Sequence, residues 1–123
     1  MLYRGELLAE NPYDEWAVQA RNETKQAYLS TLSLLAESAH HQGRLEEACR
    51  WSQALIAADP GREEAHRLLI SCLYGLGQSE RALRQFHECR RALEAEFGVG
   101  PMPETMRLYQ TILDESPSTA VAR

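Results

Sequence analysis

No apolar run in this 123-residue chain approaches the roughly 20 residues needed to span a bilayer. The N-terminus, MLYRGELLAENPYDEW, lacks a basic stretch followed by an apolar core, so it does not read as a secretory signal. Cysteines number three, which argues against a disulfide framework and suits a reducing compartment; the cytoplasm is the expected location. Strict apolar/polar alternation is missing and β-branched residues are few, so strands are not expected. Basic charge is also short, 13 Lys and Arg against 18 Asp and Glu, for a net charge of -5. Gripping nucleic acid requires a basic face that displaces counterions from phosphates. The one basic cluster, Arg81, Arg84, Arg90 and Arg91, is diluted by Glu80, Glu88 and Glu94 and reads as a solvated helix face. Direct nucleic-acid binding by this chain is therefore not expected.

The chemistry of common sites is missing too. His40, His41, His66 and His87 with Cys49, Cys72 and Cys89 form no CxxC pair and no HExxH motif. In HEC, 87–89, the two candidate ligands point about 200° apart around a helix, so no metal site is expected. GVG at 98–100 precedes two prolines rather than opening a helix after a strand, so a phosphate-cradling loop is not expected. No nucleophile has a recognisable base partner. The paired carboxylates Glu46–Glu47 and Glu63–Glu64 sit where helix N-termini are expected and favour the helix dipole. Neither enzyme activity nor a cofactor is expected.

Helical patterns fill what remains. Asn11 reads as an N-cap, with Pro12 at the first helical position and Asp14 in the positive first turn. Trp16, Ala20, Thr24, Tyr28, Leu32, Leu35 and Ala39 form the expected inner stripe, RNETK at 21–25 allows a break, and Gly43 ends the helix. A second helix over 44–58 presents Leu45, Ala48, Cys49, Ser52, Leu55 and Ile56. Pro60 closes that helix and is expected to open a third, over 61–75, behind an Asp59 cap. The third presents Ala65, Leu68, Leu69, Cys72 and Leu73. A fourth, over 78–97, presents Ala82, Leu83, Phe86, Cys89, the Arg90 stem, Leu93 and Phe97. Gly98 reads as its left-handed end, and Pro103 starts a fifth helix with Met106, Tyr109, Ile112 and Leu113 inward. Residues 116–123 read as a flexible tail.

GRLEEACRW at 43–51 and GQSERALRQ at 77–85 place Gly and Ala at the same separation, 34 residues apart. A 34-residue helix-turn-helix period marks the tetratricopeptide repeat (TPR). Glycine lets the chain leave one helix in a left-handed turn, and the small alanine lets the next helix pack closely. The expected fold is all-α, a TPR-like right-handed superhelical array of antiparallel helix pairs with about five main helices. Its domain covers 1–115, with repeats at 29–62 and 63–96 and a capping helix at 103–114. Departures from the repeat pattern are Ile70 for a small residue, Ser52 for an aromatic and Glu94 for a proline. Two repeats are fewer than a solenoid normally needs, so helix five and the first half of helix one, or another chain, must cover the ends.

YRGELL with Trp16, REEAHRLL, and the block from Ala82 to Tyr109 with its FGVGPMPET closure carry a more specific resemblance. They resemble the bacterial transcriptional activator domain of SARP-type regulators, in which a TPR-like module follows a winged-helix DNA-binding domain. In that block Leu93, Glu96, Gly98, Pro101, Pro103, Glu104 and Tyr109 match, while Met102 replaces the usual serine N-cap, so a less firm start to helix five is expected. The family has further helix before LYRGELL, so Met1 reads as the start of a fragment or of a stand-alone homologue. The resemblance implies dimerisation and contact with RNA polymerase or partner regulators. The TPR register places Ser33, Glu37, His40, His41, Glu64, Arg67, Ser71 and Tyr74 on the concave side; Glu37, His41, Arg67 and Tyr74 are the expected contact residues. Trp51 is expected as a half-covered core residue or an interface anchor. The alternatives are a generic TPR adaptor and a sensor that binds a small ligand in the groove, with His41 and Arg67 as anion contacts.

Overall fold

A computed structural model describes residues 12–115. Among them lie five helices: α1 (Pro12–His41), α2 (Leu45–Ala58), α3 (Glu63–Gly75), α4 (Ser79–Phe97) and α5 (Pro103–Glu115). Asn11, the LYRGELL segment and the 116–123 tail fall outside the described residues. Packing divides the chain after Thr31, within the unbroken α1, into two compact parts.

In the first part, Pro12 is the first helical residue, with Asp14 and Glu15 in the positive turn, and the helix passes through 21–25 without a break. The expected inner stripe does not hold. Trp16 is 69% and Tyr28 54% exposed, while Leu29 is buried. The steps from Trp16 to Tyr28 are all of four residues, and each overshoots a turn by about 40°, so Trp16 ends about 120° from Tyr28 and the two share no narrow stripe.

In the second part, the inward residues of α1 are Leu32, Ala36 and Ala39, spaced by four and three, which keeps them on one face; Leu35 is exposed. The helix then ends in a Schellman turn. Gly43 has φ +76°, its N–H donates to His40 O, and Arg44 N–H donates to Ala39 O at 2.9 Å. The same turn closes α3. Gly77 has φ +80°, its N–H donates to Tyr74 O, and Gln78 N–H donates to Leu73 O at 2.9 Å. The bonds that open the following helices, Ala48 N–H to Arg44 O and Ala82 N–H to Gln78 O, also repeat at 34 residues. Ala48 and Ala82 are completely buried, the close-packing positions expected of a TPR-like fold. Ile70, large for its place in the repeat, is buried beside Leu69 and Cys72.

Several local expectations are corrected. Asp59 and Pro60 do not open α3. Asp59 is the C-cap of α2, its N–H donating to Leu55 O, and its carboxylate takes the Arg62 guanidinium at 3.2 Å; α3 begins at Glu63. A carboxylate can serve either helix end, and the short Asp59–Arg62 connection uses it to brace the turn. Arg90 is exposed rather than part of the inner face, because Cys89 and Leu93 already fill the inner arc of α4. Phe97 is 61% exposed; its ring lies over the α2–α3 turn, where a Cβ on Gly61 would sit 2.8 Å from Phe97 Cε2.

Helix α5 is rotated by about one residue from the expected register. Thr105 and Ile112 are completely buried, Leu108 and Tyr109 half-buried, and Met106 exposed. The Tyr109 ring stacks on Phe86 of α4 with centroids 3.9 Å apart. Stacking of this kind adds ~0.5–1.5 kcal/mol beyond the area it buries. Ile112 joins the cluster of Leu69, Ile70, Cys72, Leu73, Ala82 and Phe86, so α5 covers the end of the second helix pair.

Candidate functional site

Three helices present a common open face. Glu37 and His40 are one turn apart on α1. Glu64, Arg67, Leu68 and Ser71 recur at steps of three and four on α3, and Glu104 and Leu108 sit one turn apart on α5. Together they line a groove of about 430 Å³. Glu37 and Ser71 are equivalent positions of the 34-residue repeat, so the repeat itself sets this face. Ser71 Oγ lies 3.4 Å from His40 Nε2 and ties α3 to the end of α1.

Beneath the rim runs a polar chain between α3 and α5. Arg67 Nη1 donates to Thr105 Oγ at 3.2 Å, and the Thr105 hydroxyl donates to Glu63 Oε2. The same carboxylate oxygen accepts the Met102 N–H at 2.7 Å. Met102 is the residue whose carbonyl accepts the first α5 bond, from Met106 N–H. Glu63 therefore supports, from another helix, the start that a serine cap would otherwise support. The weak start expected from Met102 is made good across the interface. Arg67 is held further by Glu63 Oε2 at 3.9 Å and by Glu104 Oε1 at 3.7 Å.

The contact residues expected from sequence divide between this groove and other surfaces. Glu37 and Arg67 line it. His41 is exposed at the end of α1 and does not, and its ring stands edge-on to His40. Arg67 and His41 are thus not brought together as an anion site. Tyr74 lies further along α3, where its hydroxyl donates to the Glu115 carboxylate; that bond, foremost, raises its pKa. Trp51 packs half-buried on the core from α2, away from the groove, with its indole N–H buried and unpartnered. Sequence reasoning named no contact role for Glu104 and Leu108. Glu104 stood in the PMPET closure, but reading Met106 rather than Thr105 as inward turned α5 away from α3.

Buried groups elsewhere are settled by their neighbours. The His66 ring is nearly inaccessible; Nε2 meets Pro60 O at 2.8 Å and Nδ1 meets the Gln85 amide nitrogen at 3.0 Å. A carbonyl can only accept, so Nε2 carries the proton and Nδ1 accepts from Gln85. All three cysteines are free and buried. Burial raises each thiol pKa, that of Cys72 to about 12 and that of Cys89 to about 11. Such thiols behave as small apolar groups. Among the described residues no three of His, Cys, Asp and Glu gather to hold a metal ion, and no helix is long and apolar enough to cross a membrane.

Comparison with known proteins places these features in context. A family model described as "Bacterial transcriptional activator domain" matches residues 1–113. Over 112 residues the chain is 35% identical to "Regulatory protein AfsR" of Streptomyces griseus, an alignment covering 91% of this chain and 11% of that protein. The chain thus spans about a tenth of the length of that curated relative. No solved structure matches the chain significantly.

Proposed function

The chain belongs to the bacterial transcriptional activator domain family, and from that premise we propose that it is the protein-contact module of a transcription regulator. Its contact surface is the groove between α1, α3 and α5, and its partners are the transcription machinery or a second regulator. One observation carries this reading. The groove has an apolar floor at Leu68 and Leu108, left half-covered between charged walls, on the face where the helical repeat presents equivalent positions. Surfaces with an apolar centre and a polar rim suit protein association. Self-association through the same module is part of the proposal.

The test uses the intact regulator that carries this domain. Ser71→Trp fills the groove from its middle without touching a core position. Loss of transcriptional activation with retained promoter binding is the expected result. Unchanged activation by a folded Ser71→Trp regulator would exclude the groove as the contact surface. The groove volume also lies within the range of small-molecule sites, which supports a second reading, a sensor of a small ligand. Under that reading, ligands raise the melting temperature of the isolated chain, and Ser71→Trp abolishes the shift.

A further inference from the structure

The geometry points to a specific class of occupant: a short protein segment that sets lysine or arginine beside leucine-sized side chains. This inference rests on the groove being the contact surface. Three carboxylates, Glu37, Glu64 and Glu104, line the groove against a single guanidinium, Arg67. That guanidinium is already committed. It is held by Thr105 and Glu63 on one side and by Glu104 on the other, at 3.2, 3.9 and 3.7 Å, so it offers little to an acidic visitor. Glu63 has a side chain only 11% exposed and adds a further negative charge beneath the wall.

All three rim carboxylates remain open to solvent. Glu104, which meets Arg67, and Glu64, which meets Arg62 at 3.4 Å, have side chains 64% and 55% exposed, and Glu37 is exposed with no ion pair among the described residues. Between them Leu68 and Leu108 supply the apolar floor. An acidic segment would meet this rim with like charge, and a purely apolar one would desolvate the unpaired Glu37 carboxylate and the exposed pairs of Glu64 and Glu104 without adding a cation. A basic segment gains on both counts, and its cations need not enter the interior. The attraction is therefore rim-like: it sets which partner docks and how fast, while the leucine contacts set how long it stays.

The probes are three fluorescent twelve-residue peptides with a shared leucine spacing: Lys/Leu, Glu/Leu, and a Lys/Ser peptide in which the leucines are replaced. Anisotropy with the full 123-residue chain is expected to show saturable binding of Lys/Leu, weaker binding of Lys/Ser and none of Glu/Leu. Raising the salt should weaken Lys/Leu binding, since exposed pairs are screened. The variant E37Q/E64Q/E104Q, checked for helicity by circular dichroism, is expected to bind Lys/Leu about tenfold less tightly. Equal binding of Glu/Leu and Lys/Leu, or salt-independent binding of the latter, overturns the inference even if the variant does not fold. So does full affinity of a folded triple variant, or a self-associated chain whose groove is closed by its own copy. These failures would leave the contact proposal standing, because Ser71→Trp tests it without reference to the partner's charge.

Discussion

Ser52 occupies the place in the first repeat that Phe86 fills in the second, and it is completely buried with a hydroxyl that has no hydrogen-bond partner. A buried unsatisfied hydroxyl costs more than its absence, so Ser52→Ala is expected to leave stability unchanged or to raise it by ~1 kcal/mol in a denaturant titration. A loss would mean that the hydroxyl is satisfied after all. The cysteines make a prediction with a pH window. The thiol pKa of Cys72 rises from 9.0 to about 12 and that of Cys89 to about 11, because burial disfavours the thiolate. A raised folded-state pKa means that the native protein holds the proton more tightly than the unfolded chain. The resulting stability is complete below pH 9 and is lost as pH rises through 11 to 12. The melting temperature of C72A/C89A is therefore expected to fall less steeply above pH 9 than that of the parent, and equal slopes would refute the assignment. These thiols are legible as core from the sequence because Cys49, Cys72 and Cys89 fall on periodic apolar arcs. Arg90 and Phe97 were misjudged, since periodicity marks a face but not where the neighbouring helix stops covering it.

The turns after α1 and α3 test the repeat as a pair. Gly43 and Gly77 sit at φ +76° and +80°, and a Cβ at either would meet nothing within 4 Å, so only backbone strain opposes a side chain. Gly43→Ala and Gly77→Ala should each destabilise by about 1–2 kcal/mol, with similar values because the two turns share the same hydrogen bonds. A large cost at one and none at the other would contradict the equivalence. Both turns could be read directly from the sequence, since a positive φ leaves glycine as its mark. The start of α5 could not. Its support comes from Glu63, 39 residues from Met102, and no spacing rule links a carboxylate in the first turn of α3 to the cap of another helix. Glu63→Ala should cost about 1–3 kcal/mol and speed amide exchange at the start of α5 while leaving the Gly43 turn unchanged. Glu63→Gln, which keeps an acceptor, should recover part of the loss. Uniform exchange across α4 and α5 would deny the role.

The fold class was legible because a 34-residue period needs no tertiary knowledge; Gly43, Ala48, Gly77 and Ala82 carry it. Five of the eight concave positions named from the repeat register, Glu37, His40, Glu64, Arg67 and Ser71, line the groove. Its third wall went unread, because the orientation of α5 depends on Thr105 turning inward to meet Glu63 and Arg67, a polar contact that an apolar stripe does not reveal. That wall supplies Glu104 and Leu108, and with them one of the three rim carboxylates and half of the apolar floor. The account as a whole requires that partners meet the chain at this groove. The most direct measurement is photo-crosslinking in the intact regulator, with a photoreactive residue placed either at Ser71, inside the groove, or at Gln110, an exposed position of α5 outside its lining. The expected result is a crosslink to a protein partner from position 71 and none from position 110. Crosslinking from position 110 alone would contradict the account.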